Sequence, residues 1–248
     1  MEKLIYLVWG DDAEREPLGA HLLDEVGPAL LGLGARAVTV NVHDDAAAEA
    51  PAPVPTPDDE APLLAEVSVW VDAYDRRGPL EALVTEPRAD VGDFAVAGYL
   101  VVESLYDDYG TTEWAAPRNW SDGQRSPGVL TVGLIHRPAE LGYDEWIERW
   151  HGTQSPRSGE IQPRTRYVRN EVVRALTPDA PEVHGIVEEG WPSAQHVADP
   201  MLFFNTGGDP DALGPLVDEM LANVNACLDL ARFRSSTMSE YFVKSVGR

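Results

Sequence analysis

Histidine, tyrosine, tryptophan and asparagine crowd into one stretch of the chain, LIHRPAELGYDEWIERWHGTQSPRSGEIQPRTRYVRNEVV at residues 134–173. Within it His151 has the broadest chemistry. An imidazole near its neutral pKa takes a proton from an acidic carbon or returns one to a leaving hydroxyl. Lying four residues after Ile147, it shares that residue's helix face; the alternative is a capping or core histidine bonded to its own turn. Tyr167 can donate its phenol proton to a developing oxyanion, and Asn170 can orient a carbonyl. The two are three apart on a strand, where side chains alternate, so only one faces a cavity. Trp146 and Trp150 are i, i+4 neighbours and form one aromatic wall, either beside a flat ligand or within plain core. His136 and Arg137 end a strand, a suitable place for a cavity mouth, and Arg137 can hold a carboxylate. Arg157, Arg164, Arg166 and Arg169 either gather an anionic substrate or pair with the chain's carboxylates, and pairing is the expectation.

Other chemistries find little footing. The formal net charge is −23 over 248 residues, a surface that repels phosphate backbones and anionic lipid. Nucleic-acid and membrane roles are therefore not expected. His21, His43, His184 and His196 show no metal-ligand spacing, so no metal site is expected. Glycine-rich phosphate loops and nucleophile elbows are missing. A lone cysteine, Cys227, lies in a helical context and reads as a core thiol, which with the short N-terminal apolar run points to a cytoplasmic protein.

The elements that must position these residues alternate along the chain. Residues 4–9, 36–42, 63–71 and 94–104 read as strands, with helices over 17–33 and 78–85. Residues 44–62, acidic and rich in proline, read as an exposed loop without a function of its own. Turn-forming residues mark 111–127 as a linker between a unit at 1–110 and a unit at 128–248. Beyond it, strands are expected over 129–135, 165–173, 183–188 and 238–246, and helices over 143–151 and 210–233. GYLVVES from Gly98 and EYFVKSV from Glu240 match in detail, which suggests an internal repeat. The expected fold class is α+β: two ferredoxin-like βαββαβ units packed sheet to sheet as an intrachain dimeric α/β barrel. Association of two such pseudo-dimers into a homodimer is left open.

With that order in place, the chain resembles the EthD-like branch of the dimeric α/β-barrel superfamily. The resemblance is carried by HRP at 136–138, WHGTQSP at 150–156, Pro163, and RYVRN at 166–170. It is weaker in the first half, through EKLIYLVW and the GARAVTVNV segment from Gly34, and EYFVKS fits as well. It implies cavities between sheet and helices that accept small apolar molecules. Members include cofactor-free monooxygenases, isomerases, decarboxylases and dehydratases acting on aromatic or polyketide-like compounds, and also haem enzymes. The reading is an enzyme without a tightly bound cofactor, with His151, Tyr167 and Asn170 catalytic and Trp146, Trp150, His136 and Arg137 binding substrate. The rivals are a non-catalytic carrier of an apolar metabolite and a haem-dependent enzyme. The first half has GAHLLDEVGPALLGL where a counterpart of His151 would stand, so the working pocket is expected in the second half.

Overall fold

The computed structural model describes residues 1–57, 59–86 and 91–247. Eight strands close into one antiparallel barrel: β1 (Glu2–Gly10), β2 (Ala37–Val42), β3 (Leu63–Val71), β4 (Phe94–Asp107), β5 (Val129–Ile135), β6 (Arg166–Ala175), β7 (Gly185–Trp191) and β8 (Arg234–Lys244). Around the barrel the order is β1-β3-β2-β8-β5-β7-β6-β4. The helices are short: α1 (Arg15–His21), α2 (Gly27–Gly32), α3 (Asp45–Ala48), α4 (Gly78–Thr85), α5 (Tyr143–Ile147), α6 (Ser155–Ile161), α7 (Gln195–Ala198), α8 (Pro200–Phe203) and α9 (Pro210–Asn225).

This corrects the expected fold class. Instead of two ferredoxin-like βαββαβ units packed sheet to sheet, there is a single closed eight-stranded sheet with few helices against it. The reason lies at the strand edges. β2 pairs with β8 from Val38 opposite Lys244 to Val42 opposite Ser239, and β4 pairs with β6 from Tyr99 opposite Ala175 to Asp107 opposite Tyr167. Pairing those edges satisfies their backbone groups and removes every open edge, which packing two sheets face to face would not do.

The strands form for the expected reason, being rich in β-branched and aromatic residues. Their alternation, however, runs opposite to a half-solvated strand. Leu4, Tyr6 and Val8 face outward and pack with Leu18, Leu22 and Leu30 of the helical cover. Lys3, Ile5 and Leu7 face the lumen, where Ile5 and Leu7 join Tyr99, Val132, Ile186 and Met238. Elsewhere the lumen is ionic. Lys3 lies 2.8 Å from Glu188 and 3.0 Å from Glu103, and Arg166 lies 3.0 Å from Glu188 and 2.9 Å from Glu240. Glu66 has no ion-pair partner among the described residues; it accepts from Ser68 at 2.9 Å and from Asn41 at 3.2 Å.

Several boundaries move. The helix expected over 17–33 spans α1 and α2 joined by a π turn at Leu22–Val26. α9 stops at Asn225, well before 233; its N-terminus is capped by Asp209, whose carboxylate accepts from the Asp211 N–H at 3.0 Å. The strand at 183–188 is shifted to Gly185–Trp191. The segment 44–62, whose Asp58 lies outside the described residues, contains α3 and packs onto β8 through hydrogen bonds from Val54 N–H to Ser235 at 3.0 Å and from Ser235 N–H to Val54 at 3.4 Å. Among the described residues, no helix is long and apolar enough to cross a membrane.

Candidate functional site

A cavity of 240 Å³ lies between the outer face of β5, β6 and β7 and the helices α6, α8 and α9. Most of its wall is apolar, from Ile135, Phe203, Phe233, Met220 and Val224, and Pro53 and Val54 close it from the first half of the chain. Among its polar lining residues are Gln154, Ser158, Arg164, Tyr167 and Glu189, with Thr131, Gln162 and Ser235 beside them.

Trp150 sets one side. It sits in a π turn, Glu148–Gln154, that interrupts the helix between α5 and α6. The Ser155 N–H reaches back to the Trp150 carbonyl, and the Ser155 hydroxyl donates to the same oxygen at 2.9 Å. Such turns recur at functional sites because they rotate one side chain out of the helical register. The indole can lie against the sheet because position 185 is glycine: a Cβ there would come within 2.7 Å of the Trp150 ring. Its Nε1 donates to the Tyr167 hydroxyl at 3.3 Å.

Tyr167 is held on its other face by Arg164, whose guanidinium carbon stands 3.9 Å from the ring centre. Arg164 in turn donates to Glu189 at 2.7 Å and to Ser158 at 2.8 Å. Burial pushes the Tyr167 phenol above its ordinary value, and Glu189 adds to this against the opposing pull of Arg164. The phenol therefore keeps its proton at neutral pH and remains a donor. Gln154 gives its Nε2 to the Met220 sulfur at 3.3 Å, and its buried Oε1 has no partner among the described residues. The site thus combines a largely apolar wall with a phenol donor, an unfilled carbonyl acceptor and a guanidinium–carboxylate pair. That set suits an aromatic compound carrying oxygen substituents.

Of the residues singled out in the sequence, Trp150 and Tyr167 meet here. Trp146 stacks behind Trp150, ring centres 5.0 Å apart, and donates to the Cys227 carbonyl at 3.0 Å within the core. His151 packs edge-on against Trp150 at 4.5 Å and does not line the cavity. Burial, assisted by Arg169, lowers its pKa to about 4, and its Nε2 has no partner among the described residues. Asn170 faces the lumen, donating to Glu188 at 2.9 Å and to the Ile186 carbonyl at 3.2 Å. It is separated from Tyr167 by the sheet, as three residues of strand spacing require. His136 lines a different cavity at a barrel mouth, and the Arg137 N–H donates to His184 Nδ1 at 3.2 Å. Arg157 pairs with Glu160 and Glu219, and Arg166 joins the lumen network. Arg169 instead donates to Ser104 at 2.8 Å and stands over the Tyr106 ring at 4.5 Å.

Sequence reasoning overlooked Gln154, Ser158 and Glu189; it expected Arg164 to pair with a carboxylate, without saying which one or where. For Gln154 the signal was present, since it lies one turn beyond Trp150 in the same WHGTQSP run. For Glu189 there was none: the strand register alone brings it to Arg164.

A haem does not fit this cavity. Among the described residues no histidine or cysteine lines it, and its 240 Å³ is small beside the roughly 300–1,000 Å³ usual for ligand pockets. Among the described residues no three His, Cys, Asp or Glu side chains gather as a metal site.

No family model matches the chain. No curated protein matches it either. Among solved structures, the fold resembles that of a protein named anthrone oxidase-like, with a TM-score of 0.53 and 11% identity over 99% of this chain and 94% of the other. A protein of Fusobacterium nucleatum subsp. nucleatum, provisionally named a monooxygenase, aligns over 98% and 93% with a TM-score of 0.47 and 9% identity. At such identities the likeness is one of fold.

Proposed function

We propose that the chain is a small-molecule enzyme of the EthD-like branch of the dimeric α/β-barrel superfamily. Its substrate is a compact aromatic or polyketide-like compound bound beneath Trp150. The reaction begins with loss of a proton from an acidic carbon of that compound. Glu189 is the carboxylate in the lining that can take this proton. Tyr167 and Arg164 stabilise the oxyanion that forms as the carbon's electron pair moves onto an adjacent carbonyl oxygen. The anion then either regains a proton elsewhere, which is isomerisation, or reacts with dioxygen. In the second course a CH₂ group becomes C=O, one oxygen atom is kept and the other leaves as water.

The observation that carries this reading is the protonated Tyr167 phenol beside the Arg164–Glu189 pair in a mostly apolar cavity. The fold-level likeness to an anthrone oxidase-like protein makes an enolisable tricyclic ketone the natural first probe. With anthrone as substrate, dioxygen uptake and anthraquinone absorbance are expected to rise above the uncatalysed rate. Tyr167→Phe is expected to lower kcat by 10²-fold or more with KM little changed, as for loss of one oxyanion donor. An equal rate in the variant would remove Tyr167 from the chemistry.

One observation favours a second reading, a non-catalytic carrier. Glu189 is already engaged by Arg164 at 2.7 Å, so the lining holds no unpaired base. Saturable binding of the same compound without proton exchange at its acidic carbon would establish the carrier and exclude the enzyme.

A further inference from the structure

A second cavity, of 330 Å³, opens at one mouth of the barrel. It is separate from the one beneath Trp150. Pro53 and Val54 line the first cavity, Thr56 lines the second, and Ser235 touches both. The segment 53–56 is thus a partition between them.

We propose that this barrel-mouth cavity is a second binding site, for a neutral apolar molecule bearing a hydroxyl group. Its floor supplies the apolar body's contacts: Leu63, Val132, Leu134 and Val183, with the Trp9 indole at the side. His136 supplies the polar contact. The residue is only 8% exposed, and its Nδ1 has no hydrogen-bond partner among the described residues. Burial, with Arg232 and His184 nearby, keeps the imidazole uncharged near neutral pH. An uncharged imidazole has one N–H and one lone pair, so it can accept from a hydroxyl or donate to one.

Charge decides what kind of head group is admitted. The two guanidiniums in the lining are each matched by a carboxylate, Arg232 with Glu182 at 3.0 Å and Arg234 with Glu60 at 2.7 and 2.8 Å. With His136 uncharged, the lining has no net charge left for an ion. Outside, the adjoining groove that shares Trp9 and Glu60 is edged by Asp11, Asp12, Asp59 and Asp93. That rim repels anions before they reach the mouth. A carboxylate analogue of the same ring is therefore excluded on both counts.

The test is calorimetric titration of the whole chain with 2-naphthol and, separately, with 2-naphthoate at neutral pH. The expected result is binding of 2-naphthol that His136→Ala weakens at least tenfold, with 2-naphthoate at least tenfold weaker than 2-naphthol on the wild type. Ser236→Leu, which places a larger apolar side chain into the cavity, is expected to abolish the same event; it serves as the second variant should His136→Ala lose its fold by circular dichroism. Naphthol binding that neither folded variant alters, or that only a substitution at Trp150 or Val54 alters, overturns the proposal. So does 2-naphthoate binding as tightly as 2-naphthol.

Discussion

Glu66 is a carboxylic acid sealed in the lumen of the barrel, without an ion-pair partner among the described residues. Burial, reinforced by the nearby Glu188 charge and only partly offset by Lys3, raises its pKa to about 8. Glu188, on the opposite side of the barrel four strands away, goes the other way: burial opposes its charge, yet Lys3 and Arg166 hold it down at about 2. The folded chain therefore keeps a proton on Glu66 that the unfolded chain releases above its ordinary value of 4.5. Stability from this group is full below that value and is lost as pH rises toward about 8. His136 and His151, both lowered to about 4 chiefly by burial, contribute in the opposite sense and only below the ordinary histidine value of 6.5. Glu66→Gln can hold both contacts, its Oε1 accepting from Asn41 and its Nε2 donating to the Ser68 hydroxyl, and removes the titration. Its thermal midpoint is expected to exceed the wild type's at pH 8.5, by a stability of about 1–3 kcal/mol, with the gap closing by pH 5. A gap independent of pH would mean that Glu66 titrates normally.

At the same scale, Gly185→Ala tests the seat of Trp150. The methyl group would meet the indole at 2.7 Å, so the ring must shift or the sheet must give. Overpacking of this kind costs about 1–3 kcal/mol. Because Trp150 walls the cavity, the variant is expected to lose ligand affinity together with stability, read by titration and by denaturant midpoint. A stable variant with wild-type affinity would show that Trp150 does not shape the cavity.

The elements were legible in proportion to how local their causes are. The strands at 63–71 and 129–135 coincide with β3 and β5 because hydrophobic runs and bounding turns fix them within a few residues. The π turn at Glu148–Gln154 was not visible, since nothing in periodicity separates it from an α-helix. Alternation located β3 but did not say where its polar positions point, and Glu66 and Ser68 are fully buried. Their partners come from strands remote in sequence, and alternation alone does not say which side is wet. For the candidate site, Trp150 and Tyr167 were legible through residue type, while Glu189 depended on register. Most of the proline-rich segment is exposed, but composition, which showed that it cannot form a ladder, did not show that Val54 would bond to Ser235 on β8. Ser235→Ala removes that side-chain acceptor. Hydrogen exchange at the Val54 amide is expected to quicken about fivefold, as for loss of a hydrogen bond worth about 1 kcal/mol, and ligand release from the cavity beneath Trp150 to quicken with it. Unchanged exchange would show that the segment is held by its other contacts.

Closure makes the stability of the molecule a property of both halves at once. Without the β2–β8 and β4–β6 pairings, each half would present two long strand edges to solvent. The lumen ties the halves a second time, because Lys3 of β1 reaches Glu188 of β7 at 2.8 Å. Removing one member of a buried ion pair leaves the other uncompensated, which costs about 3–5 kcal/mol. Lys3→Met deletes a charge from the first half and is expected to unfold the second half with it. Denaturant unfolding of wild type and variant, followed at the tryptophans and by far-ultraviolet dichroism, is expected to show a single coincident transition, with the variant's midpoint lowered. Glu188 would retain Arg166 in that variant, so the loss falls toward the lower end of the range. Two separated transitions, with only the first moved by Lys3→Met, would mean that the halves fold apart and that closure adds little. Barrel geometry argues against that outcome, since no strand order that opens either seam leaves the edge groups of β2, β4, β6 and β8 paired.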